Sequence, residues 1–572
     1  MTRTRLLGVI LTILTLTTLT TLATPALAYT YSPFGPTPIL SPPADSHSEG
    51  FRYPRALQLR HQSNPHDNGV MLGAVQWLTY SDDSHIPIFR SDDEGRSWNT
   101  SWSKVYDRAN GRGHGSGYHL VSQPTLYELP VAIGDMPAGT ILLSALARTW
   151  ARTGNQSGNT YIDLYKSNNA GRTWQFVSTV AQGGIPQEQA TPGPIWEPFM
   201  YAYNRGGGTP NRLVVYYTDE REASKSQKLV HQVSTDGKRW GAVVDDVVDA
   251  GPDARPGMPV VAKMNNGNYI MTYEYCGGTP QTPGAAGGCA VNYRVTNDPE
   301  SWNDKPNQVV RQADGTIPKG TPYVVNLPNV GPKGAVVVSG NSLDGLFVNY
   351  DNAAPGSRWI KLHSTVARSY SRSFVPMDDG KTIFTVSNVR NGDRSRWTVG
   401  NQFLADATGI AQGEWYLVNR STGGYLQIAN DSTAEGAATG QQPTAGWLTE
   451  GAKDSGSTSQ RWRFEPADNG FYRIRNVNSG KYVDVDGAYV SDDRNILQKS
   501  KSTSPSQEWR VVDHGDGYVQ LLNHNSGKTF NLNTGYTSIS PLKMSQFQDD
   551  NYSSQQWRLV RAPAAAASDG GA

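Results

Sequence analysis

Short runs of β-branched and aromatic residues recur from about residue 46 to residue 404, and turn-forming residues separate them. The runs at residues 140–144, 213–217 and 334–339 are rich in Val, Leu and Tyr, and Gly, Pro, Asn and Asp lie between such runs. Runs of this length, bounded by turn residues, are typical of β-strands. No long stretch keeps the period of an amphipathic helix. The pattern therefore predicts an all-β fold.

A turn motif repeats along this strand-rich region. Its clearest copy, at residues 91–98, has the spacing Ser-x-Asp-x-Gly-x-x-Trp; a second copy occupies residues 167–174, and altered copies occupy residues 234–240 and 296–302. Ser and Asp bond the turn backbone, Gly provides a positive φ, and Trp fills the space between neighbouring sheets. A repeat of about 60 to 75 residues fits the four-stranded blades of a propeller. The motif resembles the Asp box of sialidase-type β-propellers, and we predict a six-bladed β-propeller over residues 45–405.

A different repeat occupies residues 413–561. Three units each carry Asn-x-x-Ser/Thr-Gly after a Tyr-containing strand, and each unit closes with Gln-x-Trp, at Trp462, Trp509 and Trp557. This triple motif resembles that of the ricin-type β-trefoils, a family of sugar-binding modules. The resemblance implies a carbohydrate-binding β-trefoil in which the motif Gln and Trp brace the core and the hairpins.

The trefoil resemblance also implies where a sugar would bind. In such lectins an Asp near the strand after the Gly contacts the ligand. Only the middle unit has this Asp, Asp484, whereas the other two units have Gln427 and Asn531. We therefore expect at most one intact sugar site in the trefoil, at Asp484.

Charge and the two ends of the chain limit the functional classes. The 51 basic and 50 acidic residues give a net charge of +1, which argues against a nucleic-acid or anionic-membrane partner. Residues 1–28 combine two Arg, an apolar Thr-rich run and Ala-Leu-Ala, which predicts a cleaved signal peptide and a secreted, extracellular protein. A membrane anchor is the alternative, but Thr interrupts the apolar run and no basic stop follows it. Residues 562–572 form an Ala/Gly tail that we predict to be disordered. We expect a monomer without a cofactor.

The two cysteines, Cys276 and Cys289, lie at the ends of a loop rich in Gly and Pro. In an exported chain we expect them to form a disulfide, and closing such a loop stabilises a fold by on the order of 3 kcal/mol in the chain-entropy model. A metal site at this loop would need further ligands nearby, and the sequence provides none. The ten histidines show no metal-ligand spacing either. His114 and His119 lie in a glycine-rich run that we interpret as a flexible loop, so we predict no metal.

Two carboxylates stand in apolar, aromatic strands: Glu197 in Ile-Trp-Glu-Pro-Phe, and Glu274 at the end of a Tyr-rich run. Such surroundings desolvate a carboxylate and raise its pKa, which suits proton transfer near neutral pH. A strand Glu beside Pro can also simply brace a loop. Two of them on separate blades of an exported protein with a lectin-like module favour glycoside hydrolysis, which needs a pair of carboxyl groups. We predict that Trp196, Tyr273 and Tyr275 desolvate this pair and offer stacking faces to the substrate.

Three further sequence runs resemble those of one family of enzymes. Residues 217–221, 227–232 and 255–258, just before the second glutamate strand, resemble glycoside hydrolase family 93. This family comprises six-bladed exo-α-1,5-L-arabinanases that retain configuration. The resemblance covers about residues 51–401. It implies a secreted exo-glycosidase that acts on the polysaccharide α-1,5-L-arabinan from a chain end and releases arabinobiose.

The family resemblance also implies roles for three residues. By position, Glu197 would be the general acid/base and Glu274 the nucleophile. Tyr370 would be a third active-site residue that supports one of them.

Two alternatives remain open on the sequence alone. A sialidase is the first, because Arg52 lies in Phe-Arg-Tyr-Pro, which resembles the Phe-Arg-Ile-Pro motif that binds the sialic acid carboxylate, and Arg255 and Arg372 would complete the three Arg of that family. An arabinan chain is neutral and needs no Arg clamp, so on that substrate Arg52 would make a structural or a sugar-hydroxyl contact, and we count all three Arg among the candidate substrate-binding residues. The second alternative is a propeller without catalytic activity that binds carbohydrate together with the trefoil.

Overall fold

The computed structural model describes residues 31–42, 46–79, 84–107, 113–115, 117–149, 158–186, 190, 192–391, 394–436, 448–454, 456–534 and 542–563. In this part of the chain, regular structure consists of β-strands and of 3-10 turns of three residues each. No helix there has the length and hydropathy of a membrane span. The all-β prediction is confirmed. The predicted signal peptide, and all of the predicted tail but its first two residues, lie outside the described residues.

The first 24 strands run from residue 34 to residue 403. Their bounds are Phe34–Leu40 (β1), Ser46–Gln58 (β2), Met71–Thr79 (β3), Ile86–Ser91 (β4), Asn99–Val105 (β5), Tyr118–Glu128 (β6), Ile141–Thr149 (β7), Thr160–Ser167 (β8), Gln175–Gly183 (β9), Ile195–Tyr203 (β10), Arg212–Asp219 (β11), Lys228–Ser234 (β12), Val244–Val247 (β13), Arg255–Lys263 (β14), Tyr269–Cys276 (β15), Ala290–Thr296 (β16), Gln308–Val309 (β17), Tyr323–Leu327 (β18), Ala335–Ser339 (β19), Leu346–Asn349 (β20), Ile360–Leu362 (β21), Ser373–Pro376 (β22), Thr382–Asn391 (β23) and Arg394–Phe403 (β24).

These strands form six antiparallel sheets of four strands, the blades of a β-propeller. Blades 1 to 5 each take four consecutive strands, from β2–β5 to β18–β21. Blade 6 pairs β1 with the last three strands, in the order β1, β24, β23, β22, so the two ends of this region close the ring. The first strands of the blades and β22 together line one central cavity of about 360 Å³. The prediction of six blades is confirmed, whereas the residue bounds that we predict for the domains stay predictions.

The repeated turn motif connects the third and fourth strands of its blade. In the copy between β4 and β5, the Ser91 hydroxyl accepts the N–H of Gly95 (2.9 Å), and the Trp98 indole donates to the Gly95 carbonyl (2.9 Å). Gly95 has a φ of +86°, and a Cβ there would lie 2.3 Å from the Phe384 ring of blade 6. The Trp98 ring packs edge-on against Trp397, also in blade 6, with 4.8 Å between ring centroids. The turn therefore needs Gly for two reasons, and its Trp joins two blades.

The next two copies make the same kind of joint between blades. The indole of Trp174 in blade 2 donates to the Ser103 hydroxyl of β5 (3.2 Å), and that of Trp240 in blade 3 donates to the Ser178 hydroxyl of β9 (3.0 Å). Each closing Trp thus contacts the blade before its own. The repeat stabilises the ring by linking its units in sequence.

Twelve strands follow the propeller and pair into one continuous network. Their bounds are Trp415–Asn419 (β25), Tyr425–Ile428 (β26), Leu448–Gly451 (β27), Trp462–Pro466 (β28), Tyr472–Asn476 (β29), Tyr482–Val485 (β30), Arg494–Lys499 (β31), Glu508–Asp513 (β32), Val519–Asn523 (β33), Thr529–Leu532 (β34), Met544–Phe547 (β35) and Trp557–Arg561 (β36).

The three Gln-x-Trp motifs occupy equivalent places in this network. Trp462, Trp509 and Trp557 are completely buried in a single hydrophobic core. Each indole donates to a backbone carbonyl, of Leu426, Val483 and Phe530 respectively, at 3.1 to 3.2 Å. This threefold arrangement is that of a β-trefoil, and the predicted fold of the second repeat is confirmed.

Buried charges connect the trefoil to blade 5 of the propeller. The Arg510 guanidinium on β32 is buried, contacts the Asp406 carboxylate (2.7 Å) and lies over the Tyr350 ring, 3.6 Å from its centroid. The Lys528 ammonium contacts Asp314 of the propeller at 2.7 Å. Because a buried charge is costly without its partner, these contacts hold the trefoil in one position on the propeller.

Candidate active site

The six strands around the central cavity share one backbone feature. In each strand, or two residues before it, a residue other than Gly has a positive φ, between 41° and 61°, just before the residues that line the cavity. In blades 1 to 4 the pairing with the next strand shifts register at this point, which marks a β-bulge. Such a backbone is costly for a side chain, so its repetition indicates a built feature of the ring. The six residues are Tyr53, Gln123, Glu197, Met258, Thr321 and Ser371.

These positive-φ residues connect five of the blades to the blade before them. In blades 2 to 6, the N–H of the positive-φ residue donates to a side chain from the preceding blade, at 2.6 to 3.1 Å. Two of these five acceptors are the carboxylates of Glu197 and Glu274. The ring of positive-φ residues therefore fixes both candidate catalytic groups.

Glu197 is itself the bulge residue of blade 3. Its Oε1 accepts the Tyr53 hydroxyl (2.9 Å), and its Oε2 accepts the Thr218 hydroxyl (3.0 Å) and the Met258 N–H (3.1 Å). Its own N–H donates to the Gln123 side chain (2.9 Å). Burial first, and then the negative charge of Glu274, raise the pKa of Glu197 to about 7, although the three donors oppose this rise.

Glu274 comes from the neighbouring blade and from its second strand, β15, rather than from the strand that lines the cavity. Its Oε2 accepts the Thr321 N–H at 2.6 Å. Burial raises the pKa of Glu274, and the Thr321 N–H and the charge of Arg255 oppose that rise. Since the charge of Glu274 also raises the pKa of Glu197, the two carboxylates act on each other. The geometry is that of a coupled pair in partly dehydrated surroundings, which is suited to acid–base and nucleophilic chemistry.

Two tyrosines continue the network from Glu197 towards solvent. The Tyr370 hydroxyl lies 3.3 Å from that of Tyr53, and the two rings meet edge-on, with 5.4 Å between their centroids. The Arg52 guanidinium lies over the Tyr370 ring, 5.0 Å from its centroid. Tyr370 is 36% exposed, so its ring is accessible from the open side of the site. The structure thus brings Arg52 and Tyr370 together with Glu197, and it adds Tyr53 to the group.

Comparison with known proteins places this geometry in a family. A model described as "Ricin-type beta-trefoil lectin domain-like" matches residues 458–542. A search of curated proteins finds no match. Among solved structures, the family 93 α-L-arabinofuranosidase of Fusarium graminearum, in complex with arabinobiose, is 34% identical; the match covers 65% of this chain and 98% of that one, with a TM-score of 0.56. The chain belongs to glycoside hydrolase family 93.

Two further solved structures match in the same way. The α-L-arabinanase of Penicillium chrysogenum, also complexed with arabinobiose, is 32% identical, with 65% of this chain and 99% of that one covered and a TM-score of 0.55. The Fusarium enzyme in complex with an iminosugar inhibitor matches with the same 34% identity and a TM-score of 0.56. This chain is therefore a family 93 glycoside hydrolase that also carries a ricin-type trefoil.

One wall of the family 93 site is formed by a glutamate that sequence analysis missed. The Glu220 carboxylate accepts both the Arg255 guanidinium (2.7 Å) and the Trp196 indole (3.2 Å). It thereby connects the residue before Glu197 to the cation that faces Glu274. The signal was present in the sequence, because Glu220 belongs to one of the runs that resemble the family.

The predicted substrate contacts of Tyr273 and Tyr275 are wrong. Both side chains are completely buried, in the core that contains Trp302. Tyr273 donates its hydroxyl to Asn307 inside the blade. Successive residues of a strand point to opposite faces, so tyrosines on either side of Glu274 must face away from it.

The predicted substrate contact of Arg372 is also wrong. Its side chain is 1% exposed, and its guanidinium donates to the carbonyls of Gly345 and Val366 and to the Ser364 hydroxyl. With Arg372 in the core and Arg255 bound to Glu220, these Arg do not form the three-residue clamp of a sialidase. The sialidase alternative loses its main support.

The two cysteines form a disulfide next to the site. The Cys289 N–H donates to the Tyr275 carbonyl (2.8 Å), and the Cys289 carbonyl accepts the N–H of Gly320 (2.7 Å). Gly320 immediately precedes Thr321, whose N–H holds Glu274. The disulfide loop is thus two steps removed from the Glu274 carboxylate.

Asp484, the predicted sugar ligand of the trefoil, is partly buried beside its Gln-x-Trp motif. Its Oδ2 accepts the Gln507 amide at 2.9 Å, whereas its Oδ1 has no hydrogen-bond partner among the described residues. Burial raises the pKa of this carboxyl. In the first unit, Gln427 accepts the Gln460 amide at 3.0 Å in the same way. Asp484 therefore braces its hairpin with one oxygen and presents a charge that the equivalent residue lacks.

Proposed function

We propose that this protein is a secreted, retaining exo-glycosidase that hydrolyses α-1,5-L-arabinan from a chain end and releases arabinobiose. The observation that carries the proposal is the coupled pair Glu197 and Glu274, held on adjacent blades by backbone N–H groups. Two family relatives that were solved with arabinobiose support this substrate. The signal peptide that we predict at residues 1–28 supports export.

The electrostatics of the pair favour one assignment of roles. A general acid must hold its proton near the working pH, and the pKa of Glu197 is raised to about 7. A nucleophile must be ionised; burial raises the pKa of Glu274, but the Thr321 N–H and the charge of Arg255 oppose that rise and favour the ionised form. Glu274 therefore attacks the anomeric carbon while Glu197 gives its proton to the leaving oxygen.

The second step follows from the same coupling. When Glu274 becomes an ester of the sugar, its negative charge is lost, and with it the second-largest cause of the raised pKa of Glu197. The pKa of Glu197 falls, so the ionised carboxylate accepts a proton from the water that hydrolyses the ester. Tyr53, Thr218 and Met258 donate to this carboxylate and hold it in place in both steps.

The residues around the pair supply contacts to the sugar. Tyr370 is exposed beside Glu197, and the half-buried Arg52 lies over its ring. The half-buried Trp196 and Arg255 meet at the Glu220 carboxylate. An arabinan chain is neutral, so the Arg side chains act as hydrogen-bond donors to its hydroxyls. The trefoil binds polysaccharide weakly, through Asp484, and keeps the enzyme at its substrate.

The test is product analysis with the purified full-length protein. On linear 1,5-arabinan capped at one end by a fluorophore, we expect arabinobiose from the first time point, with the average chain length falling slowly. Proton NMR of the fresh product should show the α-anomer before mutarotation. A ladder of intermediate lengths contradicts the exo mode, an initial β-anomer contradicts retention, and activity on sialyllactose alone contradicts the substrate.

A further inference from the structure

Three side chains with metal-binding atoms gather between blades 1 and 2, away from the carboxylate pair. Asp107 follows β5, the last strand of blade 1, and Asp163 lies on β8 in blade 2, while His114 comes from the connection between the blades. One ligand atom of each lies within 4.8 Å of the others. The prediction of no metal rested on sequence spacing, which could not reveal a group whose members belong to different elements.

The charge of this group is not balanced by its hydrogen bonds. His114 Nε2 lies 2.7 Å from Asp163 Oδ2 and 3.9 Å from Asp107 Oδ1. One imidazole nitrogen can share its single proton with one carboxylate only. Asp107 is 3% exposed, and its Oδ1, the oxygen nearest to the imidazole, has no hydrogen-bond partner among the described residues. A buried, unpartnered carboxylate oxygen is costly, which indicates that something else compensates it.

The other atoms of the group are already held in place. Asp107 Oδ2 accepts the His114 backbone N–H (3.2 Å), and Asp163 Oδ1 accepts the Thr179 hydroxyl (2.8 Å). The His114 ring stacks on Tyr161, with 3.8 Å between centroids and 8° between the ring planes. Each carboxylate thus has one oxygen fixed by a donor and the other directed at the same point as the imidazole nitrogen. Such outer contacts are what orient the ligands of a metal ion.

We propose that Asp107, His114 and Asp163 bind a divalent transition-metal cation of the Zn²⁺ type. The ligands are Asp107 Oδ1, His114 Nε2 and Asp163 Oδ2, with a water in the fourth position. One imidazole nitrogen and two carboxylate oxygens suit Zn²⁺, whereas Ca²⁺ requires six to eight oxygens. The cation replaces the proton that His114 shares with Asp163 and ties the connection to both blades.

The experiment measures metal binding by the full-length protein after removal of metals with EDTA. Calorimetric titration with ZnCl₂ should give one Zn²⁺ per chain, with MnCl₂ weaker and CaCl₂ without detectable heat. His114→Ala, in a connection rather than a strand, should weaken Zn²⁺ binding at least about 100-fold. Asp163→Asn, which keeps the volume of the side chain, should weaken it similarly.

The chain offers a matched control. His231 and Asp246 form a second buried pair at 2.7 Å, without a second carboxylate in reach among the described residues. His231→Gln should therefore bind Zn²⁺ like the parent, and so should the exposed-site variant His66→Ala. Unchanged binding in His114→Ala, or no uptake by the parent at millimolar Zn²⁺, overturns the proposal. Anomalous scattering at the zinc edge supplies a check that needs no variant: a peak about 2.0–2.2 Å from the three ligand atoms supports the site, and a peak elsewhere overturns it.

Discussion

The propeller and the trefoil both consist of repeats that end in Trp, but the Trp residues join their units differently. In the propeller, Trp98 packs on Trp397 of the neighbouring blade, and Trp174 donates to Ser103 of the blade before it. In the trefoil, the three motif Trp share a single core. Joints between neighbours leave a central cavity, whereas a shared core fills the centre. A propeller can therefore direct catalytic groups inwards, and a trefoil must place its ligands on the outside.

The two regions also differ in how far their equivalent positions have diverged. The positive-φ position of the six blades is occupied by six different residues, of which only Glu197 carries a charge. The ligand position of the trefoil holds Gln427, Asp484 and Asn531. In both regions a symmetric frame carries one charged exception. In each region, one of the residues for which we propose a role in chemistry or binding is this charged exception; Glu274, on the second strand of its blade, lies outside the repeated position.

The largest effect on activity should come from removing either carboxylate of the propeller pair. Glu197→Ala and Glu274→Ala should each lower kcat/KM on arabinan by several orders of magnitude, because each removes an interaction of the transition state. With an activated aryl arabinoside and azide, Glu197→Ala should give a glycosyl azide of retained configuration, since its covalent step survives. Glu274→Ala should give the inverted azide by direct attack. Proton NMR of the anomeric position distinguishes the two glycosyl azides.

The matched control is Glu128→Gln, a glutamate on an inner strand but at the other end of the cavity. It should stay within several-fold of the parent. Opposite stereochemistry in the two alanine variants would mean that the pair is correct and the roles are reversed. Full activity in both alanine variants would mean that the active site lies elsewhere in the protein.

The second prediction concerns pH. Because Glu197 must be protonated for the first step, kcat/KM should fall as the pH rises through about 7. Tyr53→Phe removes a donor that favours the ionised form, so the pKa of Glu197 should rise and the alkaline limb should move to higher pH. Tyr127→Phe, which alters an inner-strand tyrosine bonded to the Ala202 backbone, should leave the limb in place. If Tyr53→Phe leaves the alkaline limb unchanged, the limb reports the titration of a group other than Glu197.

The same carboxyl links stability to pH. The pKa of Glu197 is higher in the folded protein (about 7) than its ordinary value of 4.5, so the folded state binds the proton more tightly. Its contribution to the free energy of unfolding is complete below pH about 4.5 and is lost as the pH rises through about 7. Glu197→Gln should therefore lose less stability than the parent between pH 5 and 8 in thermal melts. Parallel melting curves of the two proteins would contradict the raised pKa.

The third prediction separates the propeller frame from its site. Replacing both cysteines by Ser frees the loop that contacts Gly320, the neighbour of the residue that holds Glu274. We expect kcat to fall about tenfold. The unfolding midpoint should fall by only about 4 °C, since a loop entropy of about 3 kcal/mol is small against the unfolding entropy of a domain this large. Unchanged kcat with a much lower midpoint would make the disulfide a structural clasp alone.

The smallest effect should come from replacing Asp484 in the trefoil. Asp484→Ala should weaken binding of the full-length protein to insoluble arabinan several-fold, while kcat/KM on soluble arabinotriose stays unchanged. Gln427→Ala, at the equivalent position of the first unit, is the matched control and should bind like the parent. Equal binding by parent and Asp484→Ala in pull-down assays would place the sugar site elsewhere.

The repeats could be predicted from the sequence because each unit satisfies the same local rules. Gly95 and Trp98 are required by one turn, and the pattern recurs wherever that turn recurs. The ring of positive-φ residues could not be predicted. The positive φ of Met258 and of Thr321 follows from how neighbouring blades meet and not from the residue type at either position. The errors at Tyr273 and Tyr275 had a local remedy, since strand alternation puts them opposite Glu274. The burial of Arg372 had none, because one of its acceptors is the Gly345 carbonyl, 27 residues away along the chain.

The Arg510 joint changes how two binding sites cooperate on one polymer. Modules joined by a flexible linker gain avidity through an effective concentration that depends on linker length. Here a buried guanidinium stacked on Tyr350 and bonded to Asp406 replaces the linker, so no ordering entropy is lost when the second site engages. Avidity then depends on direction. On the function that we propose, a polymer that leaves the trefoil along one path would reach the carboxylate pair without further cost, and a polymer that leaves along any other path would gain nothing from being held.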